Sequence, residues 1–205
     1  MVDNKAHWER IYQKRSPQQL GWYEETPTNS LQLIRNSGIL KHDAILDVGG
    51  GASTLVDSLH HAGYSNLSVM DISRNALRLV QARLAPQSRT IQWIEADVTQ
   101  FTSQRKYSLW HDRAAFHFLV DPDQRSAYVD VLKSTLAPDG QVIIASFAIG
   151  GPTQCSGRET VQYDTKKLVA VFGSDFDLVE NLEATHVQPS GAEQAYEYFR
   201  LVRKT

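Results

Sequence analysis

Short apolar runs bounded by turn residues alternate along this chain with stretches whose apolar positions recur every three or four residues. That alternation predicts the elements. Runs at 44–48, 67–71, 90–95, 107–112 and 140–147 have the length of strands, and the Ile, Leu and Val content of A44-I-L-D-V48 and G140-Q-V-I-I-A-S-F147 marks strands covered on both faces. The stretches 53–62, 74–84 and 122–136 carry helical spacing instead, so the chain reads as successive βαβ units with a parallel sheet. Beyond 147 the habit changes. A loop over 148–163 leads to a helix at 164–172 and to strands near 175–183 and 195–203, joined by the P189-S-G191 turn as an antiparallel closing pair. The expected fold class is α/β: a doubly wound, mostly parallel seven-stranded sheet with an antiparallel last strand and helices on both faces.

Length and charge narrow the function. At 205 residues the chain supports one core burying about 70% of its unfolded surface. One domain over 1–205 is expected, with residues 1–40 as an N-terminal cap segment and 44–205 as a Rossmann-like core. A net charge of −2 supplies no broad basic field, so neither nucleic acid nor a membrane is an expected partner. The single cysteine, Cys155, excludes an internal disulfide, and neither an apolar leader nor a membrane-length apolar run is seen, which points to the cytoplasm. The seven histidines are scattered without metal-ligand spacing, and no metal is expected.

The chemistry concentrates where the first strand meets its helix. Gly49 and Gly51 permit a tight turn and close approach to a ligand, and the helix beginning near Ser53 directs free N–H groups at it. The second strand ends in a further acid, Asp71, where a doubly wound fold places a carboxylate on a ribose diol. Residues 49–54 read G-G-G-A-S-T, without the third small residue of a dinucleotide fingerprint. Asp47 would repel a diphosphate and attract a cation. S-adenosyl-L-methionine answers both points, since it has no phosphate, a positive sulfonium and an ammonium group.

The segment I45-L-D-V-G-G-G-A-S53 resembles the first motif of the class I S-adenosylmethionine-dependent methyltransferases, D/E-x-G-x-G-x-G, with Ser53 in place of the last glycine. V69-M-D-I72, I91-Q-W-I-E-A-D-V98, Y107-S-L-W-H-D112 and the fifth strand are similar to the family's later motifs in the expected order. The resemblance implies that Asp71 holds the ribose hydroxyls, that Ile72 lies on the adenine, and that Asp97 and Val98 stand at its edge. Asp47, Gly49, Gly51 and His111 then belong to the cofactor site as well. The N-terminal aromatics Trp8, Tyr12, Trp22 and Tyr23 resemble the family's cap over the cofactor, with Tyr12 near its methionine end and Trp22 or Tyr23 against the acceptor.

Methyl transfer is an in-line displacement from an activated donor, so the enzyme chiefly aligns and excludes water. Where an acceptor must lose a proton, His111, Asp112 and His117 are candidates, and Arg113 is a candidate clamp for a substrate carboxylate or a partner for Asp112. Asp112, Arg113 and His117 are the candidate catalytic residues; His117 also fits a half-buried histidine on the apolar F116-H-F-L119 segment. The 148–163 loop is a candidate substrate wall, with Arg158 either pairing an acidic substrate group or lying in water, and Cys155 more simply a small filler. The segment after the fourth strand lacks the N/D-P-P-Y arrangement of base-methylating enzymes. A small-molecule acceptor is expected, with protein lysine as the alternative.

Overall fold

The computed structural model describes residues 4–204. One sheet organises them, with strand order β3-β2-β1-β4-β5-β9-β8. Its strands are β1 (Ile45–Val48), β2 (Leu67–Asp71), β3 (Gln92–Glu95), β4 (Tyr107–Arg113), β5 (Leu136–Phe147), β8 (Phe176–Val187) and β9 (Glu193–Arg203). Neighbours from β3 to β5 are parallel, and β9 runs antiparallel to both β5 and β8. The expected seven-stranded sheet with a reversed last strand is the one observed.

Successive side chains of a buried strand face opposite layers. Leu46, Val48, Trp110, Val142 and Ile144 pack in one layer with Tyr128 and Leu132 of α5 (Pro122–Thr135) and with Leu168 and Phe172 of α6 (Thr165–Phe172). Their neighbours Ile45, Val69, Leu109, Ile143 and Ala145 face α2 (Thr28–Asn36), α3 (Leu55–His61) and α4 (Arg74–Arg83) through Leu33, Ile34, Leu55, Leu59, Leu77 and Val80. Because α2 buries Leu33 and Ile34 against the sheet, it is a layer of the core. The cap proper is α1 (Asn4–Lys14) and the strap that follows it to Pro27.

Three boundaries differ from the sequence reading. The turn expected at 138–140 lies inside β5: pairing with β4 jumps from Tyr107↔Leu136 to Leu109↔Gln141, so residues 137–140 loop out, with Asp139 at φ 57°. The helix expected from 53 begins at Leu55, and Ser53 Oγ accepts the Leu55 N–H at 3.0 Å. The 148–163 loop holds a hairpin of β6 (Gln154–Cys155) and β7 (Arg158–Glu159), braced where Gln162 donates to the Gly151 carbonyl and where Thr160 N–H reaches Thr153 at 2.9 Å.

Candidate functional site

The carboxyl ends of β1 to β4 open into one cleft, as an open parallel sheet requires. It encloses about 1040 Å³ of empty space up to its mouth. A side lobe of about 510 Å³ shares Gly49, Trp22 and Arg113 with it. Glycine is imposed at the β1 turn by geometry: Gly49 has φ +65°, and a Cβ there would meet Ala115 Cβ at 2.6 Å. A Cβ on Gly51 would stand 2.5 Å from Asp71 Oδ2 and 3.0 Å from the Tyr12 hydroxyl.

Asp47 is 3% exposed, and its two oxygens are treated differently. Oδ1 lies 2.7 Å from His111 Nδ1, and because a carboxylate only accepts, that nitrogen carries the proton; His111 Nε2 faces Ser30 Oγ at 2.9 Å. Oδ2 is buried with no partner among the described residues, and Asp47 and His111 line the side lobe. A buried acceptor left open beside a lobe fits an ammonium group. Asp71 Oδ1 accepts the Ser73 N–H at 2.7 Å. Burial pushes its carboxyl up to about 7, against the pull of the Ser73 and Gly51 N–H groups. Ile72 and Val98 supply apolar lining near Asp71 and Asp97, while Asp97 Oδ1 is engaged by Thr99 N–H and Oγ1 at 2.9 and 2.8 Å. These residues fit S-adenosylmethionine: an acid for the ammonium, an acid for the diol, and an apolar slot for the adenine.

The other end of the cleft is aromatic. Trp8 meets Trp22 edge-on with centroids 5.8 Å apart and Phe118 at 5.0 Å, and Tyr12 and Tyr196 also line the space. The cap is docked on both sides. Glu9 of α1 accepts the Arg74 and Asn75 N–H groups at 2.7 and 3.2 Å, so one helix caps the N-terminus of another. The strap is held at Trp22, whose carbonyl accepts from Arg113 Nη1 at 2.9 Å, at Gly21, whose carbonyl lies 2.7 Å from His186 Nε2, and at Glu24, whose carbonyl accepts from Thr54 at 2.8 Å.

The cleft gathers Tyr12, Trp22, Gly49, Asp71, Ile72, Asp97, Val98 and Arg113, and Asp47 and His111 stand at its side lobe. Gly51 touches the site through Asp71 and Tyr12, whereas Tyr23 lines only the lobe. Two candidate catalytic residues are corrected. Asp112 is fully buried and lines neither space; Oδ1 accepts the Ala115 and Phe116 N–H groups at 2.9 and 3.1 Å, and Oδ2 accepts from the Tyr128 hydroxyl at 2.8 Å. It braces the turn after β4, where Ala114 takes φ 68° and enters the cleft wall. His117 is fully buried between Phe118 and Phe147, with neither ring nitrogen bonded among the described residues. Burial, then Arg113, pulls its pKa down to about 3, so it stays neutral and away from the cleft.

Arg113 reaches the cleft in a different capacity. Its Nε donates to the Tyr198 hydroxyl at 3.0 Å, and Nη2 sits 3.1 Å from Glu24 Oε1 as an ion pair rather than an aligned hydrogen bond. Burial opposes its charge, but Tyr198, Tyr196 and Glu24 outweigh that and raise the pKa. The guanidinium is thus engaged by the protein at Nε and Nη1 through hydrogen bonds and at Nη2 through charge alone. Phe118, Tyr196 and His186 are site or strap residues that no motif reading reached; the aromatic alternation of β9 was the only available signal.

Comparison with known proteins agrees with this geometry. Residues 45–140 match the methyltransferase domain family. The zebrafish (Danio rerio) eEF1A lysine and N-terminal methyltransferase is 32% identical over 94 residues, 46% of this chain and 13% of that protein. The zebrafish EEF1A lysine methyltransferase 2 is 24% identical over 207 residues, spanning 93% of this chain and 82% of that one. The crystal structure of the N-methyltransferase NodS from Bradyrhizobium japonicum WM9 in complex with S-adenosyl-L-homocysteine superposes with a TM-score of 0.73 at 18% identity, covering 99% of this chain and all of that one (100%).

Proposed function

We propose, from the premise that this chain belongs to the class I S-adenosylmethionine-dependent methyltransferases, that its methyl acceptor is a small molecule. The observation that carries this reading is the roof over the acceptor end. The cap is fastened to α4, β4 and β8, and the β6–β7 hairpin brings Cys155 and Arg158 to the wall of the same cleft. What remains is an aromatic enclosure, the form of a site that buries most of a small ligand.

The bound cofactor would supply a sulfonium methyl for displacement by the acceptor's lone pair, with the electrons of the broken S–C bond left on sulfur and the acceptor's proton released to solvent outside the enclosure. The chain's own residues hold and exclude. Asp47 Oδ2 accepts from the ammonium group and Asp71 from the ribose hydroxyls. Gly49 and Gly51 let the backbone come close, and Trp8, Trp22 and Phe118 keep water from the reacting atoms. No histidine is among the described residues lining this cleft, and its acids stand on the cofactor side, so alignment rather than a built-in base carries the rate.

The match to a lysine methyltransferase over most of the chain supports protein lysine as the second reading. Incubation with methyl-labelled S-adenosylmethionine and cell extract separates the two. Label confined to small solutes, and only with undesalted extract, is the expected result. Label in a protein band establishes the lysine reading instead.

A further inference from the structure

The hairpin presents one charge that the site described so far does not use. Arg158 begins β7 and lines the cleft, half-buried, in company with Trp8, Phe118 and Tyr196. Among the described residues it has neither a hydrogen bond nor a carboxylate within 4.0 Å. The contrast with Arg113 is informative, because that guanidinium has protein partners in Tyr198, the Trp22 carbonyl and Glu24. A guanidinium at the wall of an aromatic cleft, with no protein partner among the described residues, has its five donors open to a ligand. The acids that line the cleft, Asp71 and Asp97, stand at its cofactor end, and no carboxylate of the described residues pairs with Arg158.

We propose that Arg158 is a specificity-determining residue that grips a carboxylate on the methyl acceptor, so that the acceptor is a small acid whose flat, apolar body lies against the aromatic wall that Trp8 and Phe118 form together. This rests on the small-molecule reading above and narrows it. A planar carboxylate takes two parallel bonds from the guanidinium fork, which an ammonium cannot reproduce. The same charge repels a protonated lysine entering by this mouth.

The test uses the full chain saturated with S-adenosylhomocysteine, and a probe pair differing in one group: 4-aminobenzoate and 4-aminobenzamide, with phenylacetate and phenylacetamide as a second pair. Binding is read by tryptophan fluorescence and calorimetry. The wild-type protein should prefer each acid over its amide by about tenfold or more, the scale of a charge-assisted bond. R158Q should bring the two to equal affinity, R158K should keep part of the preference, and both should bind S-adenosylhomocysteine as the wild type does. Equal affinity for acid and amide in the wild type, no binding of any probe, or a preference that survives R158Q overturns the proposal. Its failure and that of the underlying reading are distinct: retained S-adenosylhomocysteine binding without an acid preference removes only the role of Arg158, whereas label transferred to protein in the extract assay removes the small-molecule reading itself.

Discussion

Asp71 and His117 show how burial acts in opposite directions on an acid and a base. The Asp71 carboxyl, raised to about 7 chiefly by burial, must ionise to accept both ribose hydroxyls. Proton and ligand therefore compete. S-adenosylmethionine affinity measured by titration calorimetry should fall as pH drops from 8 to 6, approaching tenfold per unit below the folded pKa. Asp71→Asn should cost about 1–3 kcal/mol of binding and flatten that dependence; a pH profile equal to wild type would remove Asp71 from the diol. His117 works on stability rather than binding. Its folded pKa of about 3 lies below the ordinary 6.5, so between those values the unfolded chain takes a proton that the folded chain refuses, and stability is lost as pH falls. His117→Leu removes that linkage and two unbonded nitrogens. Urea unfolding should show the variant equal to wild type or better at pH 8, with an advantage growing by about 1–2 kcal/mol by pH 5. A constant difference would mean His117 does not titrate as placed. Sequence alone left Asp112 and His117 open, because position after a strand says which loop a residue joins and not which way its side chain turns.

At the scale of elements, the strap of the cap is held by backbone carbonyls, and that is why it was hard to read. Trp8, Tyr12 and Trp22 announce that something is covered, but the bonds from Arg113 to the Trp22 carbonyl and from His186 to the Gly21 carbonyl carry no side-chain signature on the strap. Arg113→Lys tests the arrangement. A lysine keeps the charge but cannot reach Tyr198, the Trp22 carbonyl and Glu24 together. Stopped-flow displacement should show S-adenosylmethionine leaving several-fold faster, and limited proteolysis should cut the strap between 15 and 27 more readily. An unchanged off-rate with an intact strap would show that docking of α1 through Glu9 suffices. The hairpin makes the same point. Its Ser156 and Gly157 turn, at φ 50° and 74°, was visible only as an irregular Gly-rich loop.

For the whole molecule, the order of strands and helices was legible because it follows from period and burial. The runs Ile45–Val48 and Leu67–Asp71 are buried at every position, as their composition required. The placement of Asp71 and Asp97 at the cleft and of Asp47 at its side lobe was legible too, since the end of a parallel strand is a fixed place in such a sheet. The acceptor side was not, because it is assembled from α1, the strap, the turn after β4, the hairpin and β9, which meet only in three dimensions. That assembly ties the first residues of the chain to nearly the last. The strap over 17–27 is latched by His186 of β8, and the Arg113 that grips it is itself steadied by Tyr198 of β9, the strand inserted between β5 and β8. A chain emerging from the ribosome would carry its glycine turn and both cofactor acids long before these latches exist. The latches that hold the strap over the cleft are therefore complete only once β8 and β9 have been made, long after the strands that carry Asp47 and Asp71.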